Sequence, residues 1–174
     1  MSVGSAVLAY AQSKLGQPYL YGGAPTGGPT DCSGLAAESW AAVGISIPRT
    51  TYDQYSELPP AVGSLQPGDL VFTQGSDPQG NLPGHVGIYA GNDEVIQDPQ
   101  TGSVVSYSSL ADFGQVVGVR RPSSAGARPG IAFVAANPPA ASTSGATGFG
   151  SLLERLGEIA LGVGLVVIGL YIVV

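Results

Sequence analysis

The chain's one cysteine and one histidine are the side chains that could supply a nucleophile and its base. Cys32 opens the segment "CSGLAAESWAAVG", whose apolar spacing predicts a helix over 32–43. A cysteine in the first turn of a helix faces unpaired N–H groups and the positive end of the helix dipole, which favours the thiolate and lowers the pKa. Such a thiol is typical of a nucleophile. The alternative is a buried structural cysteine, the commoner fate of an isolated Cys.

His85 opens a strand-turn-strand pattern that brings an amide onto its own face. A three-residue hairpin loop at 91–93 would place His85 opposite Pro99, with Gln97 one diagonal step away. The Gln97 oxygen would then accept the Nδ1 hydrogen of His85 and leave Nε2 free to take the Cys32 proton. From the residues alone, catalysis and a chance coincidence of one Cys with one His remain equally open.

The elements that must position these residues change from helical to extended spacing along the chain. Helices are predicted over 5–15, over 32–43 and from Thr50, where Asp53 completes a weak capping box. Five segments rich in Val, Ile, Tyr and Phe follow and predict an antiparallel meander. Helices followed by strands indicate an α+β fold. The predicted strands are DLVFT (69–73), HVGIYA (85–90), EVIQD (94–98), SVVSY (103–107) and QVVGVR (115–120).

Composition divides the chain into three zones. Residues 1–122 carry the predicted elements and form the predicted domain, and 123–150 are dominated by Ala, Gly, Ser, Thr and Pro, as in a linker. Residues 151–174 predict a hydrophobic helix, because 159–174 contain no charged residue. That helix would lie in a membrane or associate with itself or other subunits in an assembly, and a core helix of the first zone is the alternative.

Charge and composition exclude several classes of partner and site. Six Lys and Arg against twelve Asp and Glu give a net charge of -6, which repels nucleic acid phosphates. One cysteine cannot form an intramolecular disulfide, and one Cys with one His cannot make a typical zinc site, so we expect neither metal nor cofactor. The first 19 residues lack the basic and apolar regions of a signal peptide.

Five blocks of the sequence resemble the NlpC/p60 family of papain-like cell-wall cysteine peptidases, in that family's order. The resemblance covers roughly residues 5–122 and implies helices packed on a five-stranded antiparallel sheet. Members hydrolyse the peptide stems of bacterial peptidoglycan, most often between D-glutamate and the following diamino acid. The blocks are GQPYLYGG (16–23), DCSGL (31–35), GISIPRTTYDQ (44–54), LQPGDLVF (65–72) and GHVGIYAGNDEVI (84–96).

The resemblance also implies roles for individual residues. Cys32 matches the nucleophile, His85 the general base, and Gln97 the third polar position, which is more usually a histidine in this family. Tyr19 matches a tyrosine that helps to build the oxyanion site. For Asp31, a helix N-cap is at least as good an interpretation as a substrate contact. The positions that match the lining of the substrate groove are Asp31, Ser33, Arg49 and Thr51.

Chemistry and location together suggest how such a domain would meet its substrate. A helix inserted into the membrane from the cytoplasm would leave residues 1–150 away from the mature wall. A phage or phage-tail-like particle that carries the domain to the wall satisfies both constraints, and membrane anchoring is the alternative. Two other functions remain open: a catalytically silent component of a tail or membrane assembly, and a papain-like amidase or acyltransferase acting on another amide.

Overall fold

The computed structural model describes residues 1–123, which form three helices and one five-stranded antiparallel sheet. This confirms the α+β architecture. The predicted helix at 151–174 and nearly all of the predicted linker 123–150 lie outside the described residues. The helices are α1 (Val3–Ser13), α2 (Cys32–Ala41) and α3 (Thr51–Glu57), and the strands are β1 (Leu70–Thr73), β2 (His85–Gly91), β3 (Glu94–Gln97), β4 (Ser106–Ser109) and β5 (Val116–Arg120).

Side-chain caps set where the helices begin. The Asp31 carboxylate accepts the N–H of Gly34 at 2.8 Å, so α2 begins where its sequence predicts. The Thr50 hydroxyl accepts the N–H of Asp53 at 3.2 Å and caps α3, while Ser2 caps α1. These caps satisfy N–H groups that would otherwise lack an intrahelical partner. The first residue of α2 is therefore fixed by a carboxylate that directly precedes it.

The sheet departs from a simple meander at its last strand. Its order is β4-β3-β2-β1-β5, so β5 lies beside β1 and not beside β4. The chain reaches that edge across the face opposite the helices, where Phe113 packs against Val71, Tyr89 and Val95. A Cβ at Gly87 would lie 2.8 Å from the Phe113 ring, so only glycine leaves room for this crossing. The prediction of a five-strand meander is wrong at this strand.

The turn between β2 and β3 is tighter than predicted. Asn92 and Asp93 both adopt left-handed backbone angles, with φ of 52° and 57°, and Gly91 pairs with Glu94 across a two-residue turn. A bulge at Ala90 absorbs the remaining residue. Beyond the bulge the register is the one predicted for a three-residue loop. The predicted loop length is wrong, but the predicted pairing of β2 with β3 is correct beyond the bulge.

Residues 103–105 do not belong to the fourth strand, although their composition favours one. Ser103 accepts the backbone N–H of Tyr19 at 3.0 Å, and Val104 forms an isolated bridge with Pro18. The strand begins only at Ser106. The predicted strand 103–107 is therefore divided, and its first part holds the segment that carries Tyr19.

The core lies between the helices and the sheet. Trp40, the chain's one tryptophan, is 3% exposed near the end of α2, and within residues 1–123 its indole Nε1 has no hydrogen-bond partner. No helix of this described part is long and apolar enough to cross a lipid bilayer. The largest fully buried apolar side chains are Phe72, Leu35, Leu70, Ile88 and Ile96.

Candidate active site

Cys32 and His85 each occupy the first position of an element, and both line one cleft. The cleft has a volume of about 440 Å³. It lies where the start of α2 meets the start of β2, so the helix cap and the strand register together bring the two side chains to the same place. The structure also brings the other predicted positions to this cleft, with the exception of Gln97, which lies behind His85. The other predicted residues in the lining are Tyr19, Asp31, Ser33, Arg49 and Thr51.

The Cys32 thiol is more buried than the helix-start argument assumes. Its sulfur lies 3.8 Å from the Thr51 hydroxyl and accepts the backbone N–H of Val86, the residue after His85. Burial raises the pKa of the thiol, and the N–H groups of Val86 and Ser33 oppose that shift without reversing it. The expectation of a lowered pKa is therefore wrong, because removal of water around the sulfur outweighs the helix-start N–H groups.

The His85 ring is also held in a poorly solvated position. Burial lowers its pKa, and the hydrogen bond with Gln97 partly offsets that shift. Its ring centroid lies 5.2 Å from that of Phe113. Gly75 passes so close that a Cβ there would lie 2.6 Å from the His85 Cβ. The thiol and the imidazole are both stabilised in their neutral forms.

The hydrogen bond that orients His85 uses the nitrogen opposite to the one predicted. His85 Nε2 lies 2.9 Å from Gln97 Oε1, and because that oxygen can only accept, Nε2 carries the hydrogen. Diagonal neighbours on adjacent strands are about 7–8 Å apart, so the distal ring nitrogen spans the gap. Nδ1 is then left with its lone pair and is the atom able to accept a proton. The predicted pair is correct, but the roles of its two nitrogens are exchanged.

Asp31 and Arg49 form a network that fixes the start of α2. The two Arg49 Nη atoms lie 2.8 and 2.9 Å from the two Asp31 carboxylate oxygens. Asp31 also accepts hydrogen bonds from the Ser33 hydroxyl, the Gly34 N–H and the Gly22 N–H. Burial alone would raise the pKa of Asp31, but the bonds from Arg49 and Gly34 outweigh it and lower the pKa. These contacts are those of a helix N-cap, as one of the two interpretations of Asp31 predicts.

Tyr19 lies at the cleft and interacts with Cys32. Burial raises its pKa to about 12, and the nearby charges of Cys32, Asp31 and Asp98 add to the shift. The segment is held in place because Leu20 donates its N–H to Thr30 at 2.8 Å. The Tyr19 hydroxyl therefore keeps its proton and can act as a donor at the cleft.

Comparison with known proteins decides the family. Residues 16–121 match the model of the NlpC/P60 family. The chain belongs to the NlpC/P60 family. The resemblance seen in the sequence is thereby confirmed. The NlpC/P60 region includes every predicted site residue from Tyr19 to Gln97.

Curated proteins similar to this NlpC/P60 chain are mostly much longer than the shared region. "Probable endopeptidase p60" of Listeria seeligeri is 40% identical over 111 residues, which cover 62% of this chain and 20% of that protein. "Murein DD-endopeptidase MepH" of Escherichia coli K12 is 39% identical over 117 residues, covering 62% and 42%. "Bifunctional muramidase/DL-endopeptidase CwlT" of Bacillus subtilis is 38% identical, covering 55% and 28%. The chain thus spans less than half the length of these relatives.

Solved structures show the same fold. An NlpC/P60 family protein from Bacillus cereus aligns with a TM-score of 0.61 and 28% identity, covering 68% of this chain and 40% of that one. The NlpC/p60 domain of the peptidoglycan hydrolase SagA aligns with a TM-score of 0.57 and 31% identity, covering 68% and 97%. The shared part is therefore a whole domain in SagA.

Sequence reasoning missed several features of the NlpC/P60 cleft. Tyr52 lines it and donates a hydrogen bond to the Asp77 backbone oxygen at 2.7 Å, which ties the 74–84 loop to α3. Asp98, the residue after Gln97, is completely buried. The sequence places Asp98 at the end of a predicted strand, and a hydrophilic residue there gives no signal of burial. A larger cavity of about 780 Å³ around Lys14 and Glu38 contains neither Cys32 nor His85.

Replacement of Gln97 by alanine should weaken peptide-bond hydrolysis without abolishing it. Removal of the Gln97 oxygen frees the His85 ring to rotate and to change tautomer, so we expect kcat/KM to fall about 10- to 100-fold with KM little changed. Steady-state kinetics on a soluble stem peptide measures this. Gln115→Ala, an exposed glutamine on the same domain, is the matched control. An unchanged kcat for Gln97→Ala would contradict the orienting role.

Proposed function

We propose that this NlpC/P60 domain is a cysteine endopeptidase that hydrolyses the stem peptides of peptidoglycan with Cys32, His85 and Gln97. The observation that carries the proposal is the shared cleft of the thiol and the imidazole, with the 2.9 Å bond from His85 Nε2 to Gln97. Two relatives are named as murein or DL endopeptidases, which supports the substrate class. The site supplies a nucleophile, a base and an orienting group.

The neutral states of the two groups define the first step. His85 Nδ1 takes the Cys32 proton as the sulfur forms its bond to the stem-peptide carbonyl carbon. Backbone N–H groups at the start of α2 and the Tyr19 hydroxyl hold the resulting oxyanion. The imidazolium then protonates the leaving amine as the peptide C–N bond breaks, which gives a thioester. Water, deprotonated by His85, releases the acyl group and restores the thiol.

The bond proposed for cleavage lies between D-glutamate and the diamino acid. Digestion of purified cell walls followed by mass spectrometry tests both the activity and the bond. A new carboxyl terminus on D-glutamate supports the proposal, whereas a new carboxyl terminus on D-alanine indicates a DD-specificity. Release of ammonia or transfer of an acyl group without peptide cleavage would indicate an amidase or acyltransferase. No product of any kind would indicate a catalytically silent module.

We also propose that a phage or phage-tail-like particle carries the domain to the wall through residues 151–174. The support is compositional, since this segment is strongly apolar and 28 residues separate it from the predicted domain. Anchoring in a membrane is the alternative. Cofractionation of the full chain with virions supports the first arrangement, and cofractionation with membranes supports the second.

Truncation after Ser123 should give a monomeric domain that retains its hydrolytic activity. Within residues 1–123, the sheet edge is secured near the end of the described chain, because Arg121 pairs with Asp69 at 2.7 Å and donates its backbone N–H to Pro59. The apolar segment should make the full chain self-associate in buffer without detergent. Size-exclusion chromatography with light scattering on both proteins measures the difference. A monomeric full chain would contradict the anchoring and the assembly roles of residues 151–174.

A further inference from the structure

Asp98 is a buried carboxyl group that the proposed mechanism does not use. It follows the last residue of β3, its exposure is 0%, and neither carboxyl oxygen has a hydrogen-bond partner among residues 1–123. The two other buried aspartates of the domain each have a positively charged partner. Asp31 forms an ion pair with Arg49, and Asp69 forms one with Arg121. Asp98 is thus the unpaired member of three buried aspartates in the described chain.

Asp98 directly precedes Pro99, which lines the cleft, but Asp98 is not itself part of the lining. Side chains alternate along a strand, so Asp98 lies on the same side as Ile96, which packs in the core beneath the helices, and opposite to Gln97. The negative charge of Asp31, before the start of α2, raises the pKa of Asp98, and Asp98 in turn raises the pKa of Tyr19. Tyr19 also interacts with Cys32. Asp98 and the nucleophile therefore both influence Tyr19.

No positive charge compensates Asp98 in the described structure. Arg49, the cation of the cleft lining, uses its two Nη atoms to bond both oxygens of Asp31. Burial and the negative charge of Asp31 raise the pKa of Asp98 to about 7. An isolated carboxylate in such a place is far more costly than the neutral acid. The group therefore changes charge close to neutral pH.

We propose that Asp98 is a positioning residue that must be a neutral acid in the active hydrolase, and that its ionisation depresses the cleavage of stem peptides by placing negative charge behind Tyr19. The inference rests on the proposed hydrolytic function. Two physical effects act in the same direction. The carboxylate repels the thiolate and the oxyanion that form on Cys32 during the reaction. It also raises the pKa of the Tyr19 hydroxyl, which makes that hydroxyl a weaker hydrogen-bond donor to the oxyanion.

The pH profile of hydrolysis tests this role. For an acid with a pKa of about 7, the neutral fraction falls about 25-fold between pH 6.5 and pH 8.5. The kcat/KM of the unaltered protein should therefore fall about fivefold or more across that range. Asp98→Asn cannot ionise and should keep its rate at pH 8.5. Asp93→Asn, an exposed change of the same charge, should behave as the unaltered protein does. The limb below pH 6.5, set by His85, should be common to all three.

Thermal unfolding gives a second measurement that needs no substrate. The folded-state pKa of Asp98 lies above its unfolded value, so its stabilising effect is complete at low pH and is lost as the pH rises toward 7. Asp98→Asn should therefore raise the Tm relative to the unaltered protein at pH 7 to 8.5 more than at pH 4. Asp93→Asn should show no such pH-dependent difference. If Asp98→Asn does not fold, Asp98→Ala serves in both measurements.

Each outcome separates this inference from the proposed function. Hydrolysis by the unaltered protein with the same alkaline decline in Asp98→Asn would overturn the inference and leave the function standing. A folded Asp98→Asn that is inactive at every pH would also overturn it. If the unaltered protein cleaves no peptidoglycan at any pH, the proposed function fails and the hydrolytic effect of Asp98 fails with it. A Tm difference that does not depend on pH would show that Asp98 is not a buried neutral acid.

Discussion

Cys32→Ala should release no soluble peptide from purified peptidoglycan, a loss of about 10⁴-fold or more relative to the unaltered chain. The reason is that no other thiol exists in the 174 residues. His85→Ala should cause a loss of similar size, because no other imidazole is available to take the thiol proton. Mass spectrometry of the soluble fraction, together with kinetics on a stem peptide, measures both losses.

Two controls separate chemistry from folding in this experiment. Cys32→Ser keeps a polar atom near the Thr51 hydroxyl but replaces the thiol with a much weaker nucleophile, so it should also be inactive. Ser39→Ala changes another buried residue of α2 and should retain activity. Activity in Cys32→Ala comparable to that of the unaltered chain would show that Cys32 is structural, and the domain would have to act by other means.

Asp31→Ala should lower the free energy of unfolding by about 3 kcal/mol, the largest loss of stability that we expect from a single polar change. The substitution removes the N-cap of α2 and leaves the Arg49 guanidinium without its two carboxylate bonds. Urea unfolding followed by circular dichroism measures the change. Asp112→Ala, at an exposed aspartate that bonds to Ser109, should change the free energy much less.

The pH dependence of this effect has the opposite sign to that of Asp98. The folded-state pKa of Asp31 is lowered, so the stability it contributes is present above its unfolded pKa and is lost as the pH falls through the folded value. The difference in free energy between Asp31→Ala and the unaltered chain should therefore shrink in acid. A difference that stays constant down to the lowest pH at which both proteins fold would contradict the ion pair with Arg49.

The positions of Cys32 and His85 could be predicted because they depend on local signals. An aspartate before Cys32 marks the start of a helix, and the hairpin places Gln97 on the face of His85. The predicted loop length is wrong, but a bulge at Ala90 gives the two strands the predicted register. Helix caps and strand alternation act over a few residues, so they can be recognised in the sequence before the fold is known.

The features that could not be predicted depend on contacts between distant segments. For β5 to lie beside β1, the segment that contains Phe113 must cross the face of the sheet. No local sequence pattern predicts this crossing. The raised pKa of Cys32 comes from burial by the assembled domain and overrides the local helix effect. Asp98 is hidden for the same reason, because its own segment does not show what covers it. Local patterns thus give the position of a side chain but not its solvation.

The location of Trp40 supplies an optical probe of the helix that carries Cys32. The residue is buried in α2, the same helix that presents Cys32 at its other end. Because the chain has no second indole, emission excited selectively in tryptophan comes from this helix alone. Any displacement or melting of α2 that admits water should move the emission toward longer wavelength. Stopped-flow fluorescence can therefore follow movements of α2, the helix that carries Cys32, without an attached dye or a substitution.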